Sequence, residues 1–101
     1  MKTPGLTSHE LDLLAQVFRH HPEVTAAKLF GSRAKGTHRP GSDVDLAVWG
    51  DVDAIRAEDI AADLDELPLP YRFEVQPFDL IKLPALCDHI QRVGVPVYPL
   101  D

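Results

Sequence analysis

Prolines and glycines interrupt this chain so often that it can form only short helices and strands. Nine prolines and six glycines occur among 101 residues, and most of them separate segments with regular hydrophobic spacing. We therefore expect elements in the order α-β-β-α-β-α-β around one sheet. The predicted elements are a helix that begins after Thr7 and ends at His20–Pro22, strands at 24–30 and 43–49, a helix at 53–67, a strand at 71–78, a helix at 84–93 and an edge strand at 95–98.

The first helix has the clearest local signals. Thr7 and Glu10 have the spacing of a capping box, in which each side chain accepts a hydrogen bond from the backbone N–H of the other residue. Leu11, Leu14 and Phe18 recur at the helical period and form one apolar stripe. This pattern predicts a helix that packs against the sheet through one face.

Acidic side chains outnumber basic ones, 16 to 10, and the net charge is −6. Such a surface disfavours nonspecific attraction to nucleic acids and anionic membranes, so we expect no direct binding to either. Many of the acids fall between Asp51 and Glu66. They are typical of the solvent-facing side of a helix, although such a face can also meet a basic partner.

Other features exclude further classes of protein. Cys87 is the only cysteine, which removes an internal disulfide and a cysteine-rich zinc site. No apolar stretch approaches the ~20 residues that span a bilayer, and Met1–Gly5 lead into a charged segment rather than the apolar run of a signal peptide. We expect residues 1–101 to form one cytoplasmic domain.

The segment between the first two predicted strands carries the strongest functional signal. Gly31 permits a tight turn and a close approach between backbone and ligand, and Ser32 opens a turn whose free N–H groups can point at an anion. Arg33 and Lys35 place positive charge beside it in a chain that is otherwise acidic. Together, these residues predict a phosphate-binding loop.

Two carboxylates follow this loop. Asp43 and Asp45 are two residues apart on a predicted strand, so both point to one face. Carboxylates held this close repel unless a cation lies between them. Hard oxygen ligands of this kind suit Mg²⁺, which typically binds carboxylates together with substrate phosphates. The segment therefore predicts a metal-dependent nucleotide site, with a solvated strand end as the simpler alternative.

The spacing Gly31-Ser32, ten residues, Asp43-x-Asp45 resembles the signature of the DNA polymerase β-like nucleotidyltransferase superfamily. The similarity extends from the first helix to Gly94–Tyr98 and is greatest to the smallest members, the minimal nucleotidyltransferases or MNT proteins. It implies an α+β fold in which helices pack against a mixed sheet. It also implies Mg²⁺-dependent transfer of a nucleoside monophosphate, in particular AMP from ATP, to an acceptor hydroxyl.

The resemblance also suggests a role for Glu74. Family members carry a third carboxylate, commonly Asp, on a later strand, and the segment Leu69–Val75 places Glu74 at that position. Glu is one methylene longer than Asp, and Pro77 stands where members often have a further acid. Asp79 is expected to lie beyond the strand. The simpler alternative for Glu74 is an exposed strand acid.

Motif position also implies which residues do which task. The resemblance assigns catalysis and the binding of two Mg²⁺ ions to three acids, Asp43, Asp45 and Glu74. It assigns nucleotide binding to the residues of the loop, Gly31, Ser32, Arg33 and Lys35.

The resemblance further implies a protein partner. MNT proteins are commonly paired with a helical HEPN protein in toxin–antitoxin systems, and some attach AMP to a tyrosine of the HEPN ribonuclease. So short a chain leaves little material for an acceptor pocket, which favours the same expectation of a hetero-oligomer. Two alternatives stay open: a degenerate antitoxin that neutralises its partner by contact alone, and a small-molecule nucleotidyltransferase, which normally needs an additional helical domain.

Several residues that often carry chemistry have simpler predicted roles. The five histidines show no metal-ligand spacing, and His20 and His21 suit the carboxyl end of a helix. We expect Trp49 to pack at the end of its strand and Cys87 to be a small core residue.

Overall fold

The computed structural model describes residues 6–31 and 43–99. Its helices are α1 (Ser8–Arg19), α2 (Ala54–Asp65) and α3 (Pro84–Val93), and its strands are β1 (Val24–Phe30), β2 (Val44–Gly50), β3 (Phe73–Pro77) and β4 (Val95–Tyr98). The predicted order of elements and the α+β class are confirmed. The third strand is shorter than expected, because the chain turns into a 3₁₀ helix at Phe78–Leu80.

The four strands form a mixed sheet. Their order is β3-β2-β1-β4, with β1 antiparallel to both β2 and β4, and β2 parallel to β3. A parallel pair needs a crossover connection, which α2 supplies between β2 and β3. The crossover returns the chain so that the first residues of β2 and β3 meet at the same end of the sheet.

Helices α1 and α2 cover one face of this sheet. Phe18 of α1 is fully buried, with its ring centroid 5.2 Å from that of Tyr98, and Ile60 and Leu64 of α2 are fully buried as well. Burying each such side chain contributes about 1.5–3 kcal/mol. The strands meet these helices through their apolar positions, which include Leu29, Val44, Leu46 and Val48.

The predicted capping box is present at the start of α1. The Thr7 N–H donates to Glu10 Oε1 at 2.9 Å, and the Glu10 N–H donates to Thr7 Oγ1 at 3.2 Å. The Tyr71 hydroxyl donates to Glu10 Oε2 at 2.7 Å. One glutamate therefore caps α1 and also holds the segment that leads into β3.

Helix α3 covers part of the opposite face. Ile90 packs there with Phe30 and Ala47, and all three are buried. Trp49 stacks on Phe78, with ring centroids 4.6 Å apart and planes 20° from parallel. The expectation that Trp49 packs at its strand end is confirmed, because the 3₁₀ helix brings Phe78 onto its ring.

A buried histidine joins α1 to α2, a contact that the sequence did not predict. His21 is 8% exposed, and its Nε2 lies 2.7 Å from Asp63 Oδ2 while its Nδ1 lies 3.4 Å from Glu23 Oε2. The same Glu23 oxygen lies 3.5 Å from Arg56 Nε. This Glu23 oxygen accepts no hydrogen bond from the described residues, so its contact with Arg56 is an ion pair without a hydrogen bond.

Across residues 6–31 and 43–99, no helix is long and apolar enough to cross a bilayer.

The role of α1 in the core can be tested by substitution. Phe18→Ala removes a fully buried ring, so we expect the free energy of unfolding to fall by about 3–5 kcal/mol. Gln16→Ala, on the exposed side of the same helix, should change it by less than about 0.5 kcal/mol. Urea denaturation followed by circular dichroism measures both, and equal effects would contradict the assigned packing.

Candidate active site

The parallel pairing of β2 with β3 sets two carboxylates side by side. Asp45 and Glu74 are register partners on the two strands. Side chains alternate along a strand, so both carboxylates lie on the face that α3 partly covers. The two side chains are close enough to form a hydrogen bond when Asp45 is protonated.

This pairing changes the acidity of Asp45. Burial, the hydrogen bond with Glu74 and the negative charges of Glu74 and Asp43 together raise the pKa of Asp45 from 3.8 to about 6. Each of these causes disfavours the ionised carboxylate. A cation placed between the carboxylates would remove the repulsion.

The three predicted acids differ in how closely they approach one another. Asp45 and Glu74 are in contact, whereas Asp43, exposed just before β2, acts on Asp45 through its charge. Within residues 6–31 and 43–99, no three His, Cys, Asp or Glu side chains form a group spaced to hold a metal ion. The site shown is therefore a carboxylate pair with a third acid nearby.

Gly31 lies against this pair, at the end of β1. Its φ is +80°, a conformation that favours glycine, and a Cβ built on it would lie 2.6 Å from Asp45 Oδ2. The close backbone approach expected at Gly31 is thus made to a carboxylate of the site. The predicted phosphate-binding residues Ser32, Arg33 and Lys35 lie outside the described residues, so their roles stay predictions.

Strand β3 differs from the family pattern at Glu74 and at Pro77, and these two differences have different consequences. Glu74 is exposed, but its hydrogen bond with Asp45 distinguishes it from an isolated strand acid. Pro77 ends β3 three residues later and, by alternation, points to the opposite face. An acid at 77 within this strand would not join the pair, so Pro77 removes no carboxylate from it. Asp79 lies beyond the strand, as expected.

The donor set at this end of the sheet fits a hard divalent cation. Asp45 and Glu74 provide adjacent carboxylate oxygens, and Asp43 adds a further negative charge. Mg²⁺ is typically bound by one or two carboxylates, with water and substrate phosphates as its remaining ligands. The backbone of Gly31 packs so closely against Asp45 Oδ2 that a Cβ at this position would clash with it. The residues present therefore suit a magnesium–nucleotide site.

Comparison with known families defines the class of this protein. The family described as polymerase beta, nucleotidyltransferase matches residues 13–101. The match covers most of the chain, which therefore belongs to the polymerase β-like nucleotidyltransferase family. No curated protein matches the chain significantly.

Solved structures share the same fold. A chain of a toxin–antitoxin complex with AMP-PNP superposes with a TM-score of 0.75 at 22% identity, covering 90% of this chain and 74% of that one. One from the toxin–antitoxin pair MntA–HepT gives 0.70 at 19% identity, covering 91% and 72%. One from a complex of tri-AMPylated Shewanella oneidensis HEPN toxin with MNT antitoxin gives 0.68 at 19%, covering 89% and 70%. The expected nucleotidyltransferase fold is confirmed.

The raised pKa of Asp45 predicts a measurable pH dependence of stability. An acid with a raised pKa in the folded state stabilises the fold below its unfolded pKa, near 3.8, and that stabilisation is lost as pH rises through about 6. Asp45→Asn cannot ionise, so at pH 7 it should be more stable than the metal-free wild type by about 1 kcal/mol, allowing for solvent screening. Urea denaturation between pH 4 and 7 measures the difference, which should grow with pH.

A control and a metal titration complete this test. Asp79→Asn, in the exposed 3₁₀ helix, should keep the wild-type pH dependence. Mg²⁺ should raise the melting temperature of the wild type and of Asp79→Asn, but much less that of Asp45→Asn, because its ligand is gone. An equal rise in all three proteins would contradict metal binding at the carboxylate pair.

Proposed function

We propose that this chain is a Mg²⁺-dependent nucleotidyltransferase that moves AMP from ATP to a hydroxyl of a HEPN-type toxin and thereby acts as its antitoxin. The observation that carries the proposal is the Asp45–Glu74 carboxylate pair beside Gly31 in a polymerase β-like domain. One of the structurally similar chains comes from a complex of a tri-AMPylated HEPN toxin with MNT antitoxin, and this supports the choice of acceptor.

The carboxylates would hold the metal ions. We assign two Mg²⁺ to Asp43, Asp45 and Glu74, which would bind them as ionised carboxylates. Bound Mg²⁺ would neutralise charge on the triphosphate and lower the pKa of the acceptor hydroxyl. Burial is the largest cause of the raised pKa of Asp45, and the negative charges of Glu74 and Asp43 that add to it would also favour a bound cation.

The loop after β1 would hold the nucleotide. Gly31 brings the start of this loop against Asp45, and Ser32 with the following backbone N–H groups would bind the β- and γ-phosphates. Arg33 and Lys35 would balance the charge that moves onto the leaving pyrophosphate.

Glu74 would act on the acceptor. Its carboxylate is exposed on β3, the strand at the edge of the sheet, where a hydroxyl from another protein can approach. The hydroxyl oxygen bonds to the α-phosphorus, the bond between that phosphorus and the bridging oxygen breaks, and pyrophosphate leaves. The hydroxyl proton passes to a Glu74 oxygen, which makes Glu74 the general base.

The test is transfer of label from α-³²P-ATP to the purified cognate HEPN-type protein that the proposal requires. Wild type with Mg²⁺ should label it, and Asp45→Asn or Glu74→Ala should reduce the rate by about 10²-fold or more. Glu74→Asp should retain most of the activity, since it restores the family's commoner residue. Asp79→Ala, outside the site, is the matched control.

Two results would change the conclusion. Neutralisation of the toxin in cells by Asp43→Ala and Asp45→Ala, with no label transferred by the wild type, would favour the contact-only antitoxin. Normal transfer by Glu74→Ala would remove Glu74 from the catalytic set while leaving the two aspartates in place.

A further inference from the structure

A groove with a mostly apolar lining lies at the carboxyl end of β3, the edge strand of the sheet. We call it the β3-end groove; it encloses about 280 Å³ and is lined by residues that include Ala57 and Glu58 of α2, Gln76 and Pro77 of β3, and Leu80 and Ile81. Its floor and walls come from two segments of the chain, residues 54–58 and residues 75–81. The packing of α2 against the edge strand therefore creates it.

The rim of this groove exposes large apolar side chains. Leu80, which lines the groove, is 51% exposed. Leu83, two residues after the lining residue Ile81, is 66% exposed, and Ile55, next to the lining residue Ala54, is 73% exposed. A fourth exposed large hydrophobic in the described part of the chain, Val93, lies apart at the end of α3. Exposed apolar side chains gathered in one place, rather than scattered singly, mark an interaction surface.

The edge strand beside the groove is closed to strand addition. The Phe73 N–H points away from β2 and donates to Asp65 Oδ1 at 3.1 Å. Backbone N–H groups alternate in direction along a strand, so positions 75 and 77 face the same outer edge as the Phe73 N–H. Proline, at position 77, has no N–H. Only Val75 can then donate to an added strand. A helix, whose own backbone hydrogen bonds are complete, is the element that this surface can accept.

The acidic charge near the groove indicates which kind of charge a partner should carry. Between residues 51 and 66, acids outnumber bases seven to one, and the one base, Arg56, is paired with Glu23 at 3.5 Å. Glu58 is exposed on the groove wall, and no salt bridge within the described residues involves it. An occupant with basic residues beside its apolar ones would complement this field.

We propose that the β3-end groove docks an amphipathic helix of the acceptor protein, whose apolar side chains pack on Leu80 and Leu83 and whose basic residues face Glu58. The proposal rests on the proposed function for the identity of that protein. Gln76, on the groove wall, shares the strand face of Glu74 two residues away, a separation of about 7 Å. A helix seated in the groove thus brings the partner's acceptor segment to the carboxylates.

The test measures the affinity of the purified chain for its cognate HEPN-type protein, the acceptor of the proposed function, by isothermal titration calorimetry. Leu80→Lys and Leu83→Lys place a charge at exposed apolar positions, and each should raise Kd about tenfold or more. Val93→Lys is the matched control: Val93 is 43% exposed but distant from the groove, so Kd should change less than about twofold. Circular dichroism checks the fold, and if Leu80→Lys unfolds, Leu83→Lys alone decides the outcome.

A second pair of variants tests the charge. Glu58→Lys should weaken binding more than Glu66→Lys, an exposed acid just past the far end of α2, and the difference should shrink at high salt. Equal effects would overturn the assignment of a basic partner face to Glu58.

The outcomes separate the two proposals. Unchanged Kd in both leucine variants, or an equal loss in Val93→Lys, overturns the docking surface and leaves the proposed transfer standing. Groove-dependent binding without transfer of AMP supports the docking surface and contradicts the enzyme. Protection of the Val75 amide from hydrogen exchange by an added strand overturns the helical occupant, and no binding by the wild type contradicts both proposals.

Discussion

The parallel register between β2 and β3 is the constraint on which the rest of the molecule depends. It places Asp45 directly beside Glu74 and leaves β3 at the edge of the sheet. A register shifted by one residue would turn Glu74 to the face covered by α1 and α2, where an unpaired carboxylate would be buried. The crossover helix α2 holds this register, because it packs its own apolar stripe, with Ile60 and Leu64, under both strands.

The two faces of the sheet have different roles: one stabilises the fold, and the other carries the candidate site. The face under α1 and α2 buries the larger group of apolar side chains. The opposite face carries the carboxylate pair, where burial and repulsion between the acids raise the pKa of Asp45. Packing on one side therefore offsets a local destabilisation on the other. Such an arrangement is common where a site must bind a charged ligand that the empty protein lacks.

Much of the fold and part of the site were predictable because their signals are local. The order of elements and the capping box of Thr7 and Glu10 depend on periodicity and on residues within one turn of each other. The roles given to Asp43 and Asp45 rested on spacing along one strand. Glu74 was found only through family resemblance, since nothing around it in the sequence marks it. The bridge from His21 to Asp63 had no local signal, because those residues are 42 positions apart.

The sequence by itself determined where helices and strands form and that a glycine-bearing turn precedes paired aspartates, since backbone preferences and alternation act over a few residues. Only the tertiary structure decided which strands are neighbours, that Asp45 shares a hydrogen bond with Glu74, and that Gly31 leaves no space for a side chain beside them. It also created the β3-end groove from segments distant in the chain. These features depend on how the helices and the sheet pack together, and short-range patterns do not encode that packing.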